Sequence, residues 1–202
     1  VQSGLNVNNL NLTAGGAVTD AGNIDIDGTL TVSATGQAVT LDGAGNDVTG
    51  NVTLTGAAVT FVDTTATAIA GITSTGALSV TSGGPITQSG AIDADLTSGF
   101  TAGANAITLT EAANDFTGAV SLSNSGANDA EVTDANAIDL GTVGVGGNLA
   151  VIAGGAITDS GVVTVSGTSS FNNVAGTNAA IDLGSASTYT GNVTFTTDAG
   201  SN

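Results

Sequence analysis

Apolar and small polar residues alternate along most of the chain in runs of a few residues, each closed by Gly, Asn, Asp, Ser or Ala. Ile24-Asp25-Ile26, Leu30-Thr31-Val32 and Val39-Thr40-Leu41 are typical. A period of two predicts short β-strands with one face inward, and the residues between them predict tight corners. No window carries the i, i+3, i+4, i+7 apolar spacing of a helix, and Thr, Val, Gly, Asn and Ser dominate.

The alternation is organised into two cassettes that return in the same order. NLAVIAGGAITDSG at Asn148 to Gly161 also reads NLNLTAGGAVTDAG at Asn9 to Gly22 and ALSVTSGGPITQSG at Ala77 to Gly90. Each copy predicts a strand, a Gly-Gly turn and a second strand. NDVTGNVTLT at Asn46 to Thr55 returns as NDFTGAVSLS at Asn114 to Ser123 and as TYTGNVTFT at Thr188 to Thr196. Gly15, Gly83 and Gly154 mark one series and Val48, Phe116 and Tyr189 the other, each recurring about 70 residues apart, which is the signature of a repeat architecture. Long repeats of approximately 9–76, 77–147 and 148–202 follow.

Related strands also recur about 43 residues apart within each long repeat, as at Leu10 and Val52 or Leu149 and Val193. Half that distance is a natural length for one turn of a β-solenoid. The expected fold is therefore all-β, a parallel β-helix of about nine turns of roughly 21–23 residues, rising about 4.8 Å per turn to a rod about 40 Å long. A β-sandwich would also have short strands, but nothing in it requires the same cassettes three times over. In a coil that stacks like on like, Val48, Phe116 and Tyr189 would join the aliphatic residues in one continuous inner stack. Pro85 sits directly after Gly83-Gly84 at a strand start, where a missing N–H donor matters least.

Composition narrows the chemistry. Hydrophobic residues make up 41% of the 202 residues and aromatics 3%, with no Cys, Met or Trp. A thin core of many rungs fits this better than one thick globule. Seventeen acids and no Lys, Arg or His give a formal net charge of −17. Electrostatic binding to nucleic acid is excluded, because neutralising phosphates needs basic side chains. No apolar run approaches the length of a membrane span, so no membrane insertion is expected. Trypsin-like proteases find no cleavage site, and there is no readily oxidised sulfur. Both suit an extracellular setting. Without an initiating Met or a signal peptide, the chain reads as an internal or processed segment of a larger secreted product.

The candidate sites are few. Asp42-Gly43-Ala44-Gly45-Asn46-Asp47-Val48 resembles one unit of the calcium-binding nonapeptide repeat of secreted toxins, which would make Asp42 and Asp47 the metal ligands. Its counterpart Glu111-Ala112-Ala113-Asn114-Asp115-Phe116 lacks the glycines, so an ordinary Asn-Asp turn is the favoured reading, with no cofactor and calcium as the alternative. Asp25/Asp27 and Asp93/Asp95 put two carboxylates on one strand face, as some hydrolases do. Without a basic residue to stabilise developing negative charge they read as solvated acids, so no enzyme is expected. Thr-x-Thr triplets at Thr29/Thr31, Thr53/Thr55, Thr108/Thr110, Thr188/Thr190 and Thr194/Thr196 resemble the flat ladders of ice-binding solenoids, but outward Thr is also the default polar partner on such a strand. The glycosylation sequons at Asn11, Asn51 and Asn192 fall within expected strands rather than loops.

AGGAITDSG, NDFTGAVSLS and DANAIDLGTVGVGGNLAV at Asp134 to Val151 resemble the Gly- and Asn-rich repeats of filamentous-haemagglutinin-like exoproteins and large bacterial adhesins. That resemblance implies a right-handed coil, export from a Gram-negative bacterium and a role as a surface stalk or fibre. The expected function is a non-enzymatic structural segment of an extracellular or cell-surface fibre. The alternative is a binding module for a glycan, a surface or Ca²⁺. No polar cap is visible at either end, so residues 1–202 are expected to form a single uncapped solenoid segment. Joined end to start, the first cassette returns at a spacing close to that inside the chain, so the expected partner is itself, head to tail, with host or surface glycans as further partners.

Overall fold

A computed structural model describes residues 4–174 and 179–197; the terminal Asp198-Ala199-Gly200-Ser201-Asn202 lies outside the described residues. The described elements are twenty-six β-strands, which fall into two sets of nine and one of eight. The first set is β1 (Leu5–Val7), β2 (Leu10–Thr13), β3 (Val18–Thr19), β4 (Ile24–Ile26), β5 (Leu30–Ser33), β6 (Val39–Leu41), β7 (Asp47–Val48), β8 (Asn51–Gly56) and β9 (Val59–Asp63). The second is β10 (Thr67–Ser74), β11 (Leu78–Ser82), β12 (Ile86–Gln88), β13 (Ile92–Ala94), β14 (Ser98–Thr101), β15 (Ile107–Leu109), β16 (Asp115–Phe116), β17 (Val120–Ser123) and β18 (Ala130–Asp134). The third runs through β19 (Ile138–Val145), β20 (Leu149–Ala153), β21 (Ile157–Asp159), β22 (Val163–Val165), β23 (Ser169–Asn173), β24 (Ile181–Asp182), β25 (Thr188–Tyr189) and β26 (Val193–Thr197). The first cassette makes the second and third strands of each set, and the second cassette the seventh and eighth.

All the described strand pairings are parallel. The longest column stacks ten strands from β2 to β26, about nine turns of a parallel β-solenoid. Turn length varies more than the repeats suggest. The turn from Val52 to Ile69 is short, and that from Ser169 to Val193 is long. The corners take up the difference.

Alternation sorts the side chains as the period of two requires. In β5, Leu30 and Val32 point inward while Thr31 and Ser33 are half-buried on the outside. Stacking repeats this rung after rung, so Leu10, Leu30 and Val52 lie in one line and Leu12, Val32 and Leu54 in another. The core these lines build is continuous and includes Phe61, Phe100, Phe116 and Phe171, all fully buried. Phe100 meets Phe116 edge to face at 6.1 Å, a favoured quadrupole arrangement.

Apolar residues stack on apolar ones across the first set boundary too, Leu54 on Ile72 and Phe61 on Val80, but equivalent strands of successive sets do not stack on one another. β11, the counterpart of β2, pairs with β9, and β20, the counterpart of β11, pairs with β18. The single stack expected to join Val48, Phe116 and Tyr189 is accordingly three stacks around one core. Val48 lies on Ile26, Phe116 on Ala94 and Tyr189 on Val165. The cause is the pair of long strands that open the second and third sets. β10 pairs through its first residues with β12 and through its last with β13, and β19 bridges β21 and β22 in the same way. Each long strand spans a corner and moves every following strand type on by one column.

Candidate functional site

Buried polar groups must find partners, and three equivalent networks in this core do so. Asn46 is fully buried; its Oδ1 accepts the Ile24 N–H at 3.0 Å and its Nδ2 donates to Asp20 at 2.8 Å. Asn114 repeats this in the second set, accepting the Ile92 N–H at 2.9 Å and exchanging amide hydrogen bonds with Gln88. In the third set the Ser187 hydroxyl accepts the Val163 N–H at 2.9 Å and donates to Asp159 at 3.4 Å. Each network ties successive rungs together where the strands are too short to do so alone. Asn114→Ala should lower unfolding stability by about 2–3 kcal/mol, since it orphans the Ile92 N–H and part of Gln88. A urea melt checks this, and a loss under about 0.5 kcal/mol would mean that the network is not needed.

A second polar feature marks the ends of sets. The columns of β7 and β16 stop there, each strand pairing only with the rung before it. In place of a further strand, the carboxylate of Asp63 accepts the Val48 N–H at 3.4 Å, and that of Asp134 accepts the Phe116 N–H at 3.3 Å. Both acids are 1% exposed. Asp63 also accepts from the Thr65 amide at 3.0 Å and from the Thr65 and Thr67 hydroxyls, and Asp134 from the Asn136 amide at 2.9 Å. Burial pushes both carboxyls above the ordinary range, Asp134 to about 6, against the lowering effect of those bonds; the Asp115 charge adds to the rise at Asp134.

The sequence candidates are dispersed. Asp42 is exposed and Asp47 half-buried. The loop between them turns donors rather than oxygens inward: the Asp42 and Gly43 N–H groups donate to Asp20, and the Gly45 N–H to Asn23. A calcium site needs the reverse, several oxygens converging on one point. Asp47 instead accepts from the Thr65 hydroxyl at 3.0 Å. Among the described residues no group of three or more Asp or Glu gathers as a metal site. Asn6, Asp25 and Asp47 form an outward row beside a shallow depression of about 370 Å³, and Asp93 and Asp115 form a similar pair. Asp25, Asp27, Asp93 and Asp95 are exposed.

Thr13, Ser33, Thr55 and Thr73 align on one face, but the shift of columns ends the row after four rungs. The sequons at Asn11 and Asn51 lie in β2 and β8, and Asn192 directly precedes β26. Pro85 directly precedes β12, and its carbonyl accepts the Thr67 N–H at 3.0 Å. No described helix is long and apolar enough to cross a membrane.

Residue-level reasoning passed over Asp63 and Asp134, although a signal existed. Each stands at the fifth position of an alternating run, Val-Thr-Phe-Val-Asp and Ala-Glu-Val-Thr-Asp, where parity points inward. Three stretches, residues 2–55, 56–123 and 127–196, match the model of a family described as repeats of unknown function (DUF5649). Neither a curated protein nor a solved structure matches the chain.

Proposed function

The chain belongs to that family of repeats, and we propose that it is a non-enzymatic structural segment of an extracellular bacterial fibre or adhesin stalk, its coil continuing head to tail. One observation carries the reading. A side chain on Gly83, Gly84, Gly154 or Gly155 would run into the backbone of the preceding rung, at Thr64, Ala66, Ala135 and Ala137 respectively. Those Gly-Gly pairs are where one rung sits closely on another. The same pair at Gly15 and Gly16 faces open space. A further rung would fit there as Thr64 fits Gly83, whether it came from a second copy or from more of the same polypeptide.

The likeness of the cassettes to filamentous-haemagglutinin-like exoproteins supports a surface role on a Gram-negative bacterium. The absence of any basic side chain supports a protease-exposed setting. Flanks carrying only negative charge repel one another, most strongly at low salt, which favours growth along the axis over bundling.

Electron microscopy of the purified chain at rising concentration tests the proposal. Rods longer than about 40 Å at constant width are expected, and Gly15→Val should shorten them without lowering the melting temperature. Particles of one length at every concentration, indifferent to Gly15→Val, would sink the head-to-tail reading. Calorimetric titration with calcium and a glycan array probe the binding role; saturable micromolar binding to either would overturn a purely structural one.

A further inference from the structure

Building on head-to-tail growth, we propose that the free edge of β26 is the docking surface for β1 of a second copy of this chain. The two strands meet in one parallel register, Phe195 on Leu5, Thr196 on Asn6 and Thr197 on Val7.

The chain already makes this contact twice within itself. β8 and β17 hold the same place in their sets as β26, through the cassette that reads TGNVTLT, TGAVSLS and TGNVTFT. Each carries the long strand that opens the next set: Leu54 lies on Ile72 and Thr55 on Thr73, and Leu122 lies on Val143 and Ser123 on Gly144. β1 matches the second half of those long strands. Leu5 and Val7 face Ile24 and Ile26, as Ile72 and Ser74 face Ile92 and Ala94, and as Val143 and Val145 face Val163 and Val165. Among the described residues β1 pairs with β4 alone and β26 with β23 alone, so each keeps one edge of unpaired backbone groups.

Exposure marks the same two strands. Leu54, Leu122, Ile72 and Val143 are at most 2% exposed, whereas Phe195 is 57% exposed and Leu5 half-buried. Phe195 stacks on Phe171 at 5.6 Å, extending the core by one ring that no further rung covers. Neither strand carries an acid, so the contact escapes the like-charge repulsion that keeps the flanks apart. The competing register runs the longest sheet straight on, with β2 of the second copy on β26 and Thr196 on Thr13. The internal boundaries speak against it, because there the second strand of a set lies on the ninth and not on the eighth: β11 on β9 and β20 on β18. No counterpart of β9 and β18 follows β26 among the described residues, so β26 with β1 is the part of the boundary that the described strands can form.

The chain has no Cys, so paired cysteine variants read the register directly. Thr196, Asn6 and Thr13 are all exposed, and stacked residues of adjacent rungs lie about 4.8 Å apart, within disulfide reach. Thr196→Cys chain, oxidised with Asn6→Cys chain at a concentration where the unaltered chain forms rods, should give a disulfide-linked dimer as the main product. With Thr13→Cys in place of Asn6→Cys the yield should fall at least about tenfold. Phe195→Asp should raise the concentration needed for rods at least about tenfold, since it places an unpaired charge in the contact. Should the cysteine variants form no rods, hydrogen exchange on rods of the unaltered chain supplies the second measurement, with protection gained in β1 and β26 on assembly. Linkage to Thr13→Cys as strong as to Asn6→Cys, rods indifferent to Phe195→Asp, or no gain in protection at β1 would each overturn this contact and leave head-to-tail growth standing. Single particles at every concentration, with no linkage in either pair, would overturn both.

Discussion

Leu54→Asp should abolish most of the fold's stability, a loss of about 4–5 kcal/mol, because it buries a charge that nothing in the chain can pair. Leu54 is fully buried, stacked between Val32 and Ile72. A carboxylate there would lie in the apolar core, and without Lys, Arg or His no side-chain rearrangement can bring it a cation. The neighbouring residue is the control. Thr53 points outward between Thr31 and Gly71 and is half-buried, so Thr53→Asp should cost under about 1 kcal/mol. Each rung leans on its two neighbours, so damage at Leu54 loosens the rungs on both sides. Thermal melts of the two variants decide the matter; comparable losses for both would mean that the inward and outward faces are misassigned.

Gly154→Val is expected to be nearly as damaging, at about 3 kcal/mol or more, for a reason that lies in the backbone rather than the core. The missing Cβ at Gly154 is where the carbonyl oxygen of Ala135 in the rung below comes to rest. Backbone cannot swing away as a flexible side chain can, so the corner must lift and break the pairing of β21 with β19. Gly15→Val puts the same side chain into open space in the single chain and should change its unfolding free energy by under about 0.5 kcal/mol. Parallel urea melts of the two variants check this. Equal tolerance at both positions would show that the Gly-Gly pair serves turn formation alone and not the approach of rungs.

Much of this structure was legible from local pattern. Each triplet such as Ile24-Asp25-Ile26 specifies a strand and its inner face without reference to the rest of the chain, because side chains alternate across a pleated strand. The Gly-Gly pairs also mark corners in the sequence, but the reason for them at Gly83, Gly84, Gly154 and Gly155 is the close backbone of the preceding rung, which is not local. The buried Asn46 and Asn114 were readable only as turn residues, since the Ile24 and Ile92 amides they satisfy come from the previous rung. Asp42 and Asp47 resembled metal ligands because the Gly spacing of their loop fits a calcium turn; the loop's amides point instead to Asp20 and Asn23, which sequence spacing cannot reveal.

The chain by itself determined the all-β character, the inward and outward faces and the count of about nine turns, since these rest on alternation and on the recurrence of cassettes. What lies on what across the set boundaries was decided only by the tertiary structure. Stacking depends on how much chain each corner absorbs and on β10 and β19 each spanning two columns at once, and neither leaves a mark on the two-residue period. The roles of Asp63 and Asp134 were settled in the same way. Parity could point their carboxyls inward, but only the arrested columns of β7 and β16 supplied the amides that make an inward acid tolerable.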